Sequence, residues 1–228
     1  MTDPASVDAY FEATLHPTDA QLEALLAANA AAGLPAHDVA PNQGRLLTLL
    51  ARMCGAERIL ELGTLGGFST LFLARALPRG GIVVTLERSP EHAATARENL
   101  ARAGVADLVD LRVGDGVESL DGLIADGEPA FDLIFLDADK AQNPAYLPRC
   151  LALARPGTVL VADNVVRGGA VADPGDPDPR VQGIRRFTEL VAADPRLDAT
   201  VIQTVGTKGH DGFLLARMAA ERGGRAAA

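Results

Sequence analysis

The chain has 228 residues and a formal net charge of -9, with 48% hydrophobic and 22% charged residues. This length suits one or two domains with a sizeable core, and this composition is typical of a globular rather than a disordered chain. The acidic balance disfavours a general nucleic-acid-binding protein, which would need a basic surface.

Signals for a membrane or a secreted protein are absent from the pattern of the chain. No apolar run approaches the ~18 residues of a membrane span, and the first residues lack the basic and apolar regions of a signal peptide. Cys54 and Cys150 are too few for a disulfide framework or a zinc cluster, and both lie in apolar, helical stretches. We therefore expect buried free thiols in a cytoplasmic protein.

The first 55 residues are expected to be helical. Thr18 and Asp19 can cap one helix, a break follows over residues 33–41, and a further helix ends near Gly55. The spacing of the apolar residues places one face of each helix toward a core. These apolar residues are Leu22, Leu25, Leu26, Leu46, Leu47, Leu50 and Met53.

From Arg58 onward, short apolar strands alternate with helices, which predicts a parallel sheet covered by helices on both faces. The predicted strands are residues 58–62, 82–86, 108–113, 131–137 and 158–162. The helices between them are expected to begin near Phe68, Pro90, Gly116 and Pro144.

The end of the chain has a different pattern. A helix over 180–193 leads to strands over 199–204 and 213–218, and the glycine-rich turn 206–212 between them is typical of an antiparallel hairpin at a sheet edge. The prolines of loop 173–179 stiffen a segment that follows a strand end, where α/β proteins bind ligands. We predict a single domain over 1–228, with a helical cover (1–55), an α/β core (56–218) and a flexible tail (219–228).

The first motif is Glu-Leu-Gly-Thr-Leu-Gly-Gly-Phe-Ser over residues 61–69, between a strand and a helix, where backbone N–H groups face a ligand. Leu65 stands where the dinucleotide fingerprint needs a glycine, which argues against an NAD-dependent oxidoreductase. The carboxylate of Glu61 suits an ammonium or a hydroxyl better than a pyrophosphate. The alternative is a tight turn whose glycines serve packing.

Two further acidic residues follow the next strands. Glu87 ends the second strand about 20 residues after the glycine turn, where a carboxylate can hold both hydroxyls of a ribose; a solvated charge is the alternative. Asp115, before Gly116, can contact an adenine or simply cap a helix. Together the three motifs describe a site for an adenosine that carries an amino-acid-like tail.

Asp137 ends a buried strand, and Asp163 and Asn164 end the next one. Because adjacent parallel strands end side by side, these three side chains can converge on one point. Two carboxylates and an amide oxygen suit Mg²⁺ or Ca²⁺ rather than zinc. Lys140, one of two lysines in the chain, reaches the same cleft, and a nearby cation disfavours its ammonium form. Such an amine can take a proton from a hydroxyl.

On these residues the chain resembles the class I S-adenosylmethionine-dependent methyltransferases, and more narrowly the metal-dependent catechol and caffeoyl-CoA O-methyltransferase family, from about Pro35 to Met218. The resemblance implies a Rossmann-like α/β fold with a seven-stranded sheet, mostly parallel with an antiparallel last strand, and a homodimer. It implies S-adenosylmethionine and Mg²⁺ as cofactors, with Ca²⁺ or Mn²⁺ as alternative metals. The implied cofactor-binding residues are Val39, Glu61, Gly63, Thr64, Ser69, Glu87, Asp115, Gly116 and Asp137.

Within that resemblance, Lys140 is the general base, and Asp137, Asp163 and Asn164 are the metal ligands. Val39 lies at the methionine part of the cofactor and Ser69 at its carboxylate. The implied reaction transfers a methyl group to a hydroxyl of a catechol-like small molecule, with neither nucleic acid nor membrane as a partner. A methyltransferase acting on RNA or nitrogen and a silent adenosyl-binding protein stay open, although the net charge of -9 argues against RNA.

The chain departs from the plant caffeoyl-CoA enzymes in two segments that would border the acceptor. Those enzymes carry an aromatic residue shortly after the Asp-Asn pair, where this chain has Val-Val-Arg-Gly-Gly over residues 165–169. The glycine-rich turn near the end, with His210 and Lys208, differs as well. Arg167 can meet an acidic acceptor or be a surface arginine, and His210 is expected to be a turn or edge residue.

Overall fold

The computed structural model describes residues 3–16 and 19–219. Three helices come first: α1 (Pro4–Leu15), α2 (Ala20–Ala31) and α3 (Pro41–Met53). Asp19 caps α2 by accepting hydrogen bonds from the N–H groups of the first turn, as predicted, whereas Thr18 lies outside the described residues. Among the described residues, no helix is both long enough and apolar enough to cross a bilayer.

Seven strands and five further α-helices follow in the described residues. The strands are β1 (Arg58–Leu62), β2 (Ile82–Glu87), β3 (Val109–Val113), β4 (Phe131–Leu136), β5 (Ala154–Ala162), β6 (Leu197–Gly206) and β7 (Gly209–Met218). The helices are α4 (Phe68–Ala74), α5 (Pro90–Arg102), α6 (Gly116–Ala125), α7 (Asn143–Ala152) and α8 (Pro179–Ala193).

The seven strands form one sheet in the order β3-β2-β1-β4-β5-β7-β6. β1 pairs in parallel with β2 and β4, and β4 pairs in parallel with β5. β7 runs antiparallel to β5 on one side and to β6 on the other. The predicted Rossmann-like sheet with its antiparallel last strand is therefore confirmed, and β6 of the terminal hairpin lies at the edge.

Some element boundaries differ from those predicted. Leu108 belongs to a short 3-10 turn, so β3 begins one residue later. β5 begins at Ala154 rather than 158, because Ala154 pairs with Phe131 across a register shift. The segment 206–212 is not one long turn: pairing continues to Gly206 and Gly209, and the positive φ of Gly209 (86°) closes the hairpin within two residues.

The central strands are buried on both faces, as a parallel sheet covered by helices requires. Ile59 and Leu133 pack into the cluster that contains residues of α2, α3 and α4, while Leu60 and Ile134 pack into the cluster with α6, α7 and α8. Alternate residues of a strand point to opposite faces, so both clusters hold β1 and β4 in one register. This packing fixes the carboxyl ends of these strands side by side.

The helical cover is less buried than its sequence indicates. Leu22, Leu25 and Leu47 are buried, but Met53 is 82% exposed, because it is the last residue of α3 and lies at the rim of a second cavity. Cys54 follows it and is only half-buried, which corrects the expectation of two buried thiols; Cys150 is buried, and both cysteines are free. The single domain over 1–228 stays a prediction, and the predicted tail falls outside the described residues from 220 onward.

Candidate active site

A cavity of about 880 Å³ lies at the carboxyl ends of β1, β2, β4 and β5. The order of the strands reverses between β1 and β4, and ligands of α/β proteins bind at such a switch point. All but one of the residues predicted for cofactor, metal and catalysis line it. These are Val39, Gly63, Thr64, Ser69, Glu87, Asp115, Gly116, Asp137, Lys140, Asp163 and Asn164; the exception is Glu61.

The glycine turn after β1 brings two strand ends together. Gly63 has a φ of 95°, and a Cβ at this position would collide with the carbonyl oxygen of Asp137. The Asp137 N–H donates to the carbonyl of Leu62 (2.9 Å), just before this glycine. Gly63 therefore serves the packing of the turn, as the alternative interpretation predicts. It also lines the cavity, and its role in binding a ligand stays a prediction.

Glu61 lies beneath the cavity rather than in its lining. It is fully buried, and its carboxylate accepts hydrogen bonds from the hydroxyls of Ser69 (2.6 Å), Thr85 (2.7 Å) and Thr70. Burial raises the pKa of Glu61 to about 7, although the three hydroxyls oppose this shift. Glu61 thus reaches the cavity only through hydroxyls: that of Ser69, which lines it, and that of Thr85, which meets the hydroxyl of the lining residue Thr64 at 2.6 Å.

Glu87 closes the glycine turn from the neighbouring strand. Its carboxylate accepts hydrogen bonds from the N–H groups of Thr64 (3.2 Å), Leu65 (2.8 Å) and Ser89 (2.9 Å). His92 lies close to it, with a distance of 3.5 Å between Nδ1 and the nearer carboxylate oxygen. Glu87 is therefore a fixed charge at the cavity wall and not the solvated charge of the alternative interpretation.

Asp115 does what its helix-cap interpretation predicts and still lines the cavity. It accepts hydrogen bonds from the N–H groups of Val117 (2.9 Å) and Glu118 (3.4 Å) at the start of α6. A Cβ at Gly116 would lie 3.0 Å from the ring of Tyr146, a residue of α7 that also lines the cavity. Sequence reasoning missed Tyr146, because nothing in a helical apolar stretch indicates which side chain lines a cavity.

The acidic end of the cavity brings together the side chains of Asp137, Lys140 and Asp163. Lys140 is only 6% exposed, and its Nζ donates a hydrogen bond of 2.6 Å to Asp137. Desolvation and the negative charge of Asp137 raise the pKa of Asp163 to about 6, with Lys140 and Gln43 opposing the shift. Asn164 follows with a φ of 53°, an uncommon backbone conformation for a residue other than glycine.

These residues fit a hard divalent cation. The described part of the chain contains no group of three or more His, Cys, Asp or Glu side chains placed to hold a metal, so an ion here would take two carboxylates and the amide oxygen of Asn164. All three donors are oxygens, which suits Mg²⁺, Mn²⁺ or Ca²⁺ rather than zinc. The repulsion between Asp137 and Asp163 is the kind of charge imbalance that a cation relieves.

Another part of the cavity lining comes from the terminal hairpin and α1. The Thr207 N–H donates to the carboxylate of Asp8 (2.7 Å), and the Lys208 Nζ donates to the carbonyl of Ala36 (3.1 Å). Both hairpin residues line the cavity, as does Arg167. His210 instead pairs with Gln203 (3.0 Å) on the exposed hairpin, as an edge residue would.

Comparison with known proteins connects this geometry with a family. The family model for O-methyltransferases matches residues 12–219. The chain is 50% identical over 214 residues to the catechol O-methyltransferase of Mycobacterium tuberculosis, covering 94% of this chain and 96% of that protein.

Two solved structures share the fold over nearly their whole length. The O-methyltransferase from Bacillus cereus in complex with SAH is 54% identical, with a TM-score of 0.93, covering 94% of this chain and 98% of that one. TomG from Streptomyces achromogenes, an O-methyltransferase involved in tomaymycin synthesis and solved with SAM, is 48% identical, with a TM-score of 0.92 and coverages of 96% and 100%. The family resemblance seen in the sequence is thus confirmed, and the chain belongs to the O-methyltransferase family.

Proposed function

We propose that this protein transfers a methyl group from S-adenosylmethionine to one hydroxyl of a vicinal diol on a small molecule, most simply a catechol, in a reaction that depends on Mg²⁺ or a similar divalent cation. The observation that carries the proposal is one cavity that joins the glycine turn and Glu87 to the group of Asp137, Lys140 and Asp163. A relative named as a catechol O-methyltransferase, 50% identical to this chain, supports the acceptor class.

The donor half of the cavity suits the parts of S-adenosylmethionine. Glu87 would accept hydrogen bonds from the ribose hydroxyls, and Asp115 would lie at the adenine. The Ser69 hydroxyl directs its hydrogen to Glu61 (2.6 Å), so its oxygen offers the cavity an acceptor for the ammonium of the amino-acid tail. Protonation of Glu61, whose pKa lies at about 7, would free the same hydroxyl to donate to the carboxylate of that tail.

The acceptor half supplies the proton chemistry. A divalent cation held by Asp137, Asp163 and Asn164 would act there as a Lewis acid toward the acceptor hydroxyls. The neutral amine of Lys140 takes the hydroxyl proton and becomes an ammonium, which Asp137 stabilises at 2.6 Å. The acceptor oxygen forms a bond to the methyl carbon as the C–S bond breaks, and the electron pair stays on sulfur. Positioning of the two reactants is the largest contribution of the chain.

We also propose a homodimer, formed through the surface of α1 and the outer strand β6. No residue of α1 is buried, and four of its apolar side chains are exposed: Val7, Tyr10, Phe11 and Leu15. A helix of 12 residues that buries nothing is marginal in water. On β6, Val201 and Val205 are exposed apolar residues on one face of the strand, and grouped exposed apolar residues are typical of a protein interface. A cytoplasmic location, where Cys54 and Cys150 stay reduced, completes the proposal.

The test is an assay of a panel of catechols that follows S-adenosylhomocysteine formation, with the product identified by mass spectrometry. We expect methyl transfer to a diol, loss of turnover with EDTA and recovery with Mg²⁺. Full turnover after metal removal would refute the metal dependence. Turnover only on an amine or an RNA, or cofactor binding with no turnover at all, would replace the proposal with one of the two alternative functions.

A further inference from the structure

The loop after the Asp163-Asn164 pair holds Arg167 in an unusual backbone conformation. Its φ is 56°, a left-handed conformation that costs free energy for any residue with a Cβ. The carboxylate of Asp211, on β7, accepts hydrogen bonds from the N–H groups of Val166 (3.1 Å) and Arg167 (3.0 Å). The arginine is therefore placed by a long-range contact and not by its local sequence.

The side chain of Arg167 lines the cavity, and its Nε is buried without a hydrogen-bond partner. Within residues 3–16 and 19–219, no carboxylate pairs with its guanidinium, whereas Arg180 is paired with Asp178 at 2.7 Å. A buried donor without a partner costs free energy, more so when the group is charged. A partner that is present only in the complex with acceptor would remove this cost.

Asp178, the nearby acidic residue, does not serve as the partner of Arg167. The hydrogen bonds from Arg180 lower the pKa of Asp178 to about 2, and the charge of Arg167 makes a smaller contribution in the same direction. Both oxygens of Asp178 already accept hydrogen bonds from the Arg180 side chain, at 3.0, 3.1 and 2.7 Å. Three arginines line the cavity: Arg88, Arg167 and Arg180. Arg180 is paired with Asp178, and Arg88 is exposed and follows Glu87 at the donor end. Arg167 is thus the arginine beside the Asp163-Asn164 pair whose charge is left for a ligand.

We propose that Arg167 selects acceptors that carry a carboxylate in addition to the diol. This inference rests on the proposed diol O-methylation and specifies its substrate class. A guanidinium matches a carboxylate with two parallel hydrogen bonds. Because the whole chain has a net charge of -9, an anionic acceptor needs a local cation to be held in this cavity. Arg167 follows Asn164 by three residues, so it binds the acceptor beside the end where the diol reacts.

The experiment compares two probes, catechol and 3,4-dihydroxybenzoate, with the full-length protein saturated with S-adenosylhomocysteine and Mg²⁺. Binding is measured by calorimetry, and turnover is measured separately with S-adenosylmethionine. We expect Arg167→Gln to weaken the binding of 3,4-dihydroxybenzoate by about 10- to 100-fold and to change that of catechol by less than about twofold. Arg167→Lys, which keeps the charge but not the fork of donors, should give an intermediate loss.

Arg180→Gln is the matched control, since it removes the same charge from the same cavity lining while Arg180 is already paired with Asp178. It should weaken the binding of 3,4-dihydroxybenzoate less than Arg167→Gln does. Equal losses for both probes in Arg167→Gln, or a larger loss in Arg180→Gln, would overturn the proposal. Binding of 3,4-dihydroxybenzoate that depends on Arg167, without methylation of either probe, would refute the proposed diol O-methylation and support the role of Arg167. If both probes are methylated without dependence on Arg167, only the role of Arg167 fails.

Discussion

The Nζ of Lys140 donates a hydrogen bond of 2.6 Å to the carboxylate of Asp137, and both side chains line the cavity beside the glycine turn. Asp137 is thus shared between the amine and any cation that binds at this end of the cavity. This hydrogen bond holds the Nζ in place, and the same carboxylate stabilises the ammonium that forms when the amine takes a proton. Two substitutions of Lys140 separate the positioning from the proton transfer.

Lys140→Arg places a permanent cation beside Asp137 and removes the group that can accept a proton, since arginine stays protonated in proteins. We expect both Lys140→Arg and Lys140→Met to lose about 10²- to 10⁴-fold in kcat, with little change in S-adenosylmethionine affinity. The measurement is steady-state kinetics together with calorimetric titration of the cofactor. Near-normal turnover in Lys140→Arg would show that Lys140 supplies charge and not proton transfer.

Asp163→Asn tests the metal site without relying on activity. Replacing one of two carboxylates with an amide removes a charge that a hard cation needs, so we expect Mn²⁺ affinity to fall at least about tenfold. Electron paramagnetic resonance of free Mn²⁺ gives the affinity directly. The control is Asp139→Asn, because Asp139 caps the short turn after β4 through the Ala141 N–H (3.1 Å) and an asparagine can do the same. Equal Mn²⁺ affinity in Asp163→Asn and wild type would place the ion elsewhere.

Glu61 predicts a particular dependence of stability on pH. Its pKa rises from 4.5 in the unfolded chain to about 7 in the fold, so between these values the unfolded chain has lost a proton that the folded chain still holds. The contribution of Glu61 to the free energy of unfolding therefore falls by about 3 kcal/mol as the pH rises from 4.5 to about 7. Above that pH the contribution is constant. Glu61→Gln cannot titrate and should remove this slope. Urea unfolding of both proteins from pH 4.5 to 8 measures the difference; a pH-independent difference would contradict the raised pKa.

Most of the residues that line the cavity could be predicted from the sequence, because the topology of a parallel sheet decides where the ends of its strands lie. Asp137 and Asp163 end adjacent parallel strands, and such ends must meet at one edge of the sheet. The role of Glu61 could not be derived in the same way. Its burial depends on the hydroxyls of Thr70, on α4, and Thr85, on β2. The alternation of residues along a strand does not show which acidic residues at strand ends are hydrogen-bonded in this way.

The positions of Arg167 and Lys208 in the cavity lining could not be predicted from the sequence, for a different reason. The conformation of Arg167 depends on Asp211, 44 residues later in the chain, and on a positive φ that no local pattern predicts. Lys208 enters the cavity only because the hairpin closes in two residues and α1 binds its turn through Asp8. Loops whose geometry depends on contacts this distant in sequence carry specificity, and a single sequence does not reveal it.

The exposed surface of α1 gives the last prediction, on assembly. Tyr10 is 64% exposed and Phe11 51%, and the two rings pack edge to face with centroids 5.2 Å apart. We expect sedimentation equilibrium to give twice the monomer mass of 23.7 kDa, and Phe11→Asp to shift the protein toward monomer, because a charge at the centre of an apolar interface loses its solvation. Ile124→Asp is the control, since Ile124 is also an exposed apolar residue but lies on α6, and it should leave the dimer intact. A monomeric wild type, or equal dissociation by both substitutions, would contradict an interface through α1.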